Sequence, residues 1–207
     1  TPAPSPASPT ASAPETPSPT TAPTGFQPRE VARLSNPWAL AFLPGTDQVL
    51  ITQKSGELLL RDQETGATVT VEDTPQVVNA GQGGFGDVVP GPTFDQDHMI
   101  YLSWVESGEG GQTGAVIGRA RLDSAGTTAR LVDLSIIWRQ DKTSGNGHFA
   151  HRMVFSPEGD YLFVTSGDRQ AMEPAQDLST NLGKVLRLNP DGSPAEGNPF
   201  ADQGGVS

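Results

Sequence analysis

Cysteine, charged residues and long apolar runs are scarce or missing in this sequence. The chain has no cysteine, which excludes disulfides, thiolate metal sites and a cysteine nucleophile without fixing the cellular compartment. Only 18% of residues are charged and the net charge is -11, so nucleic acid and anionic membrane surfaces are poor partners. No run approaches the roughly 20 apolar residues of a membrane span. The first residues contain neither the basic nor the apolar region of a signal peptide.

Glycine and proline, by contrast, are abundant, with 24 and 19 residues. Residues 1–25 consist almost wholly of Pro, Thr, Ala and Ser and hold no bulky apolar side chain. Because such a segment cannot bury enough surface to offset the entropy lost on ordering, it is predicted to be a disordered tether that leans towards polyproline II. A tether of this kind favours export to the periplasm, the cell surface or the medium, and is compatible with a lipid anchor upstream. An interdomain linker in a cytosolic protein is the alternative.

Residues 26–207 are predicted to form one all-β domain. Apolar runs alternate with Pro/Gly turns in groups that start near residues 39, 87 and 153. Short strands in uneven groups of three or four are typical of β-propeller blades, and a sandwich is the alternative. At about 40–50 residues a blade, this length is enough for about three blades. Helix is expected at most as a short segment between Ala171 and Leu182.

Two histidines, His148 and His151, lie three residues apart where a predicted strand begins, in the segment GNGHFAHRMVF. They are open to three interpretations: a metal site, a catalytic base with a neighbour, or two surface imidazoles. A metal site needs a helix or tight turn to bring both rings together, whereas the following MVF favours a strand and no third ligand is near. No metal ligand is therefore assigned in this chain. The third histidine, His98, is expected in an exposed turn, and so is the neighbouring DQD, which lacks the other ligands of a calcium loop.

Four segments, in order and at matching spacing, resemble the soluble quinoprotein glucose/sorbosone dehydrogenase family: NPWALAFLPG, GQGGFGDVVPGPTF, GHFAHRMVFSPEGDYLFVTSGDR and AQDLSTNLGKVLRLNPDGSPAEGNPF. The resemblance runs from about Phe26 to Ser207. It implies part of a six-bladed β-propeller that binds pyrroloquinoline quinone (PQQ) and Ca²⁺. It further implies oxidation of an aldose or related polyol by hydride transfer to PQQ, and reoxidation by a soluble electron acceptor outside the cytoplasm.

The resemblance assigns His148 as the general base and makes His151 its neighbour, at a position that a small residue usually fills. A base is needed because removing a hydride from a C–H bond requires that the hydroxyl proton leave as well, and a neutral imidazole can accept that proton. The resemblance also places Gln82, in NAGQGGFGD, near the sugar hydroxyls and the cofactor. Loop-building alone is the alternative for Gln82, and a surface role is the alternative for His148.

Asp168 and Arg169 follow a predicted strand in TSGDR, where a propeller can present side chains on one end. Asp168 is expected to bind substrate or to orient His148, and Arg169 is expected to meet the carboxylates of PQQ. The two side chains could equally pair with each other, and the sequence leaves both options open.

This chain departs from the family in two respects. It stops before the arginine-asparagine motif, the carbonyl pair that holds Ca²⁺ and the basic residues that hold PQQ, so it is predicted to be an N-terminal portion that binds PQQ poorly alone. The residue before the base is Gly147 where the resemblance implies an acid, which favours a broader aldose or polyol substrate. The alternatives are a cofactor-free propeller that binds carbohydrate or acts as a scaffold, and a lactone or ester hydrolase that needs a calcium cluster.

Overall fold

The computed structural model describes residues 25–201, and the predicted tether lies outside them except for Gly25. Residues 25–32 belong to a separate unit and contain no helix or strand. Between residues 33 and 201 the chain is built from eleven strands and three short helical turns. The strands are β1 (Pro37–Phe42), β2 (Gln48–Gln53), β3 (Leu58–Asp62), β4 (Thr68–Glu72), β5 (Phe85–Pro90), β6 (Met99–Ser107), β7 (Thr113–Ala125), β8 (Thr128–Arg139), β9 (Ala150–Phe155), β10 (Leu162–Ser166) and β11 (Lys184–Leu188).

The helical turns lie in connections between strands. The α-helix α1 (Phe94–Asp97) precedes β6, and 3₁₀ turns span Glu109–Gly111 and Glu173–Gln176. The second 3₁₀ turn agrees with the short helix predicted between residues 171 and 182. His98 ends α1 with a left-handed backbone (φ 57°) and an exposed side chain, so the predicted turn is confirmed. No helix among residues 25–201 has the length and apolar character needed to cross a membrane.

The strands form three successive antiparallel groups: β1–β4, β5–β8 and β9–β11. Parallel pairing of β4 with β8 joins the first two groups, at Val71 with Ala129 and Glu72 with Arg130, into one eight-stranded sheet. The first strands of the groups lie together, since β5 contacts both β1 and β9. In a β-propeller the first strands of successive blades lie next to each other, and each blade continues outward as an antiparallel meander. The three groups have this arrangement. The prediction of an all-β propeller with about three blades is confirmed.

The core fills the spaces between successive blades. One apolar cluster joins the first two blades and includes Leu50, Leu58, Phe85 and Leu102. A second cluster joins the second and third blades, from Tyr101, Ile117, Met153, Leu162, Val164, Leu186 and Leu188. Side chains alternate along a strand, so one face of β10 and β11 enters this cluster while the other face is more exposed. The stability of the third blade therefore depends on its packing against the second.

Leu186→Ala tests this packing, because Leu186 is fully buried in the second cluster. Truncating a buried leucine removes transfer free energy and leaves a cavity, so the free energy of unfolding should fall by about 2–5 kcal/mol. The control is Val185→Ala, one residue away on the exposed face, where a change within about 0.5 kcal/mol is expected. Urea unfolding measures both. Equal losses in the two variants would show that the blades do not pack as described.

Candidate active site

Three loops meet at one end of the blades: residues 80–84 before β5, residues 145–149 before β9 and residues 167–172 after β10. Hydrogen bonds join them, from Gln82 N–H to the Asn146 carbonyl (2.7 Å) and from Gly167 N–H to the Phe149 carbonyl (3.1 Å). A register shift between Val164 and Ser166 ends the regular pairing of β9 with β10 just before the third loop. β-Bulges at such places redirect the backbone and the side chains that follow.

The backbone of these loops and of the first two residues of β9 is unusual, because six residues other than glycine have a left-handed φ between 49° and 62°. They are His148, Ala150, His151, Arg169, Gln170 and Met172. Each such residue costs free energy relative to an extended or helical one, and clusters of them mark binding and catalytic sites. The loops therefore require strong anchoring interactions.

His148 and Asp168 form the central pair of the site. The Nδ1 atom of His148 lies 2.7 Å from Oδ1 of Asp168, and the two side chains are 51% and 22% exposed. The hydrogen bond from His148 is the main cause that holds the pKa of Asp168 below its usual range, so Asp168 is a carboxylate at neutral pH. A carboxylate only accepts hydrogen bonds, so Nδ1 of His148 carries the proton and Nε2 of the neutral ring keeps its lone pair.

Gln82 is bonded to the same loop. Its Oε1 accepts a hydrogen bond from the backbone N–H of His148 at 2.8 Å. The side-chain nitrogen of Gln82 has no hydrogen-bond partner among residues 25–201 and lies on an exposed residue. The carboxamide thus fixes His148 through its oxygen and keeps a donor for a ligand.

Arg169 anchors the loop that carries His148. Its buried guanidinium donates to the carbonyls of Gly147 (3.0 Å), Thr113 (2.6 Å) and Gly145 (2.6 Å), and also to the Thr113 hydroxyl (3.1 Å). The face of the guanidinium lies 3.7 Å from the centre of the Phe149 ring, a cation–π contact. Burial lowers the pKa of Arg169 from its usual value. All these partners belong to the chain, and binding of a cofactor by Arg169 stays a prediction.

His151 lies beneath the site and is 3% exposed. Its Nδ1 is 2.8 Å from the hydroxyl of Ser103, and that hydroxyl also accepts the backbone N–H of Asp87 at 2.7 Å. The contact between Ser103 and Nδ1 forms whether the imidazole donates or accepts, so it fixes the position of the ring. A side chain at Gly86 would collide with this ring. His151 is thus a packed neighbour of the site.

One residue that sequence reasoning missed is Gln140, which is 2% exposed. Its side-chain nitrogen donates to the carbonyls of Phe149 (3.2 Å) and Gly167 (3.2 Å) and to the hydroxyl of Ser166 (2.9 Å), while its oxygen accepts the N–H of Ala115 (3.1 Å). It therefore joins residue 149, which follows His148, to residues 166 and 167, which precede Asp168. No motif marks it, because a glutamine after a strand has many ordinary roles.

Metal-ligating side chains do not cluster in the described part of the chain. Residues 25–201 contain no group of three or more His, Cys, Asp or Glu side chains that could hold a metal ion. The DQD segment was predicted to be a turn and instead lies in the single-turn helix α1, where Asp97 accepts hydrogen bonds from the Thr93 hydroxyl (2.7 Å) and the Met99 N–H (2.9 Å).

The fold and these contacts define a class of protein: a β-propeller with an acid–base pair and an amide on the loops at one end of its blades. Residues 34–207 match the family model described as Glucose / Sorbosone dehydrogenase. The chain belongs to the glucose/sorbosone dehydrogenase family.

Individual relatives agree with this assignment. The chain is 38% identical over 175 residues to aldose sugar dehydrogenase YliI of Escherichia coli, covering 84% of this chain and 46% of that protein. It superposes with a TM-score of 0.78 and 38% identity on the soluble aldose sugar dehydrogenase of Escherichia coli in its apo form, covering 84% of this chain and 50% of that one. For the PQQ-bound aldose sugar dehydrogenase of Streptomyces coelicolor the TM-score is 0.75, the identity 29% and the coverage 86% and 52%. The chain thus spans about half the length of these relatives.

The burial of His151 predicts a pH dependence of stability. Burial lowers the pKa of folded His151 from 6.5 to about 4, so only the unfolded state gains a proton between these values. The contribution of buried, neutral His151 to the free energy of unfolding is present above pH 6.5. It is lost as the pH falls towards 4, by about 3 kcal/mol across this range. Burial raises the pKa of Asp87, which acts in the opposite direction and is common to all variants.

Urea unfolding of the unsubstituted protein, His151→Gln and His98→Gln between about pH 7 and pH 4.5 measures this loss. His151→Gln should show a weaker decline on acidification, whereas His98→Gln, at an exposed turn, should match the unsubstituted protein. Parallel declines for all three proteins would mean that His151 is not buried in its neutral form.

Proposed function

We propose that this chain forms part of an enzyme that oxidises aldoses or related polyols by hydride transfer to PQQ, with His148 as the general base. The observation that carries the proposal is the 2.7 Å hydrogen bond between His148 Nδ1 and Asp168 Oδ1, which leaves an exposed imidazole with its Nε2 lone pair available. Membership of the glucose/sorbosone dehydrogenase family and likeness to a PQQ-bound aldose sugar dehydrogenase support the redox part.

The proton step uses the chain's own residues. The substrate hydroxyl donates a hydrogen bond to Nε2 of His148 and transfers its proton there as the carbon loses a hydride. The imidazolium that results lies against the Asp168 carboxylate, which stabilises the new positive charge and keeps the ring oriented. The two electrons of the C–H bond leave with the hydride. The two electrons of the O–H bond form the second bond of the carbonyl, so the charges balance.

Gln82 and Arg169 fix the position of the base. Gln82 holds the His148 backbone through its oxygen. In this proposal its side-chain nitrogen, which has no hydrogen-bond partner among residues 25–201, donates to a substrate or cofactor oxygen. Arg169 holds the carbonyls of residues 145 and 147, which come just before the base. Together they keep Nε2 within the narrow range of positions that efficient proton transfer requires.

When bound, PQQ supplies the two-electron acceptor for the hydride. The residues present fit the proton-transfer part of the reaction, since they comprise a base, its carboxylate partner and an amide donor. The guanidinium of Arg169 already has partners within the chain, and residues 25–201 contain no acidic cluster for Ca²⁺. No step is therefore derived through Ca²⁺, and Ca²⁺, the soluble electron acceptor and export remain predictions.

His148→Ala should lower turnover by about 10²–10⁴-fold, since it removes the base. The measurement is reduction of a redox dye by the full-length gene product reconstituted with PQQ and Ca²⁺, across a panel of aldoses and polyols. The absorption spectrum of the bound cofactor should be unchanged. His98→Ala, at the exposed turn next to α1, is the matched control and should retain full activity. Normal turnover by His148→Ala would disprove the assignment of the base.

Asp168→Asn should lower kcat by about tenfold or more while changing KM little. The amide can still meet Nδ1 of His148, but it brings no negative charge to stabilise the imidazolium formed as the proton is transferred. The same dye assay measures both constants. A large rise in KM with unchanged kcat would instead assign Asp168 to ground-state binding of the sugar.

A cofactor-free carbohydrate-binding or scaffold module is the second candidate. The engagement of the Arg169 guanidinium within the chain favours it, because that cation is then not available to a quinone carboxylate. Sugar binding measured by calorimetry, without dye reduction by the reconstituted protein, would support this candidate over the dehydrogenase.

A further inference from the structure

Gly147, the residue before His148, has no backbone requirement for glycine. Its φ lies outside the left-handed range, so the main chain would accept an L side chain. This distinguishes it from Gly145 in the same loop, whose φ is +95°. Whether a side chain fits at position 147 therefore depends on the neighbouring atoms.

The neighbouring atoms belong to the side chain of Gln170. A Cβ atom at position 147 would lie 2.6 Å from Cδ and 3.2 Å from Nε2 of Gln170, and closest of all to its Oε1. These three atoms of Gln170 are its nearest neighbours. The carboxamide of Gln170 thus occupies the space that a side chain at position 147 would fill.

The backbone of Gln170 is held by Asp168, the partner of His148. Its backbone N–H donates to Oδ1 of Asp168 at 3.0 Å, the same oxygen that accepts His148 Nδ1 at 2.7 Å. Arg169, just before it, is buried, whereas Gln170 is exposed and has a φ of 61°. The carboxamide therefore lies on the exposed side of the loop, over the peptide that leads into the base.

We propose that Gln170 is a specificity-determining residue of this site, whose carboxamide contacts the hydroxyls of the substrate from the place next to His148 that residue 147 leaves open. The inference rests on the proposed function. A carboxamide both donates and accepts hydrogen bonds, so it can pair with a hydroxyl in either sense and adds no charge beside the base. A substrate that lacks a hydroxyl at the matching position leaves this group without a partner, which lowers its transition-state binding.

The steric part is tested on stability alone. Gly147→Ala should shift the urea midpoint of the full-length gene product downwards, because the methyl group must displace the Gln170 carboxamide. The same change in a Gln170→Ala background should cause little further shift. Gly167→Ala is the matched control: its Cβ would meet the backbone of His148 and Phe149, so it should destabilise both backgrounds. Equal shifts for Gly147→Ala in both backgrounds would contradict the contact.

The specificity part is tested with the PQQ-reconstituted protein on a panel of aldoses that differ in the configuration or presence of single hydroxyls. Gln170→Ala should lower kcat/KM by about tenfold for the best substrates, because it removes about one hydrogen bond. The decrease should be much smaller for analogues that lack the hydroxyl that Gln170 contacts. Gln170→Glu, which can only accept, should change the order of preference. Gln96→Ala, an exposed glutamine on α1, is the control and should leave the whole panel unchanged.

The outcomes separate the two proposals. In one outcome the unsubstituted protein is active, and Gln170→Ala changes kcat/KM by the same factor for every sugar or does not change it. That result would overturn the specificity role and leave the dehydrogenase proposal intact. An unsubstituted protein that oxidises no member of the panel would overturn the proposed function and the specificity role together.

Discussion

The geometry of the site depends on one buried cation, the guanidinium of Arg169. It donates hydrogen bonds to the carbonyls of residues 113, 145 and 147 and to the Thr113 hydroxyl, and it lies on the face of the Phe149 ring. These bonds tie the loop before β9 to the start of β7, across the boundary between two blades. A loop with a left-handed residue at 148, followed by left-handed residues at 150 and 151 where β9 begins, needs such an anchor, because its own backbone does not favour that path.

The anchored loop gives the two histidines opposite environments. His148 is half exposed and donates its Nδ1 proton to a carboxylate, whereas His151 is buried and its Nδ1 is hydrogen-bonded to the Ser103 hydroxyl. The first ring is left with Nε2 near solvent, and the second ring is enclosed by the protein. Position in the fold thus separates two residues that stand three apart in the sequence, and only one of them has the features of a base.

The sequence allowed the blades to be predicted because their signals are local: apolar strands and Pro/Gly turns recur three times. Orientation of His148 by Asp168 was one of the options that the sequence left open, and Gln82 was expected near the sugar hydroxyls and the cofactor from the family resemblance; the structure brings the three residues together. For Arg169 the sequence left open contact with a ligand or pairing with Asp168, and its partners in the structure are backbone carbonyls 22 to 56 residues away. Gln140 and Gln170 were missed for the same reason, since their contacts depend on how distant loops meet.

The central claim is that the Nε2 lone pair of His148 is available to accept a proton. Long-range ¹H–¹⁵N NMR distinguishes the two tautomers of a neutral imidazole, and a chain with three histidines gives a spectrum simple enough to assign with a His148→Gln variant. Neutral His148 is expected to carry its proton on Nδ1, the atom that faces Asp168. A His148 ring protonated on Nε2 would leave no base facing the substrate and would contradict the account.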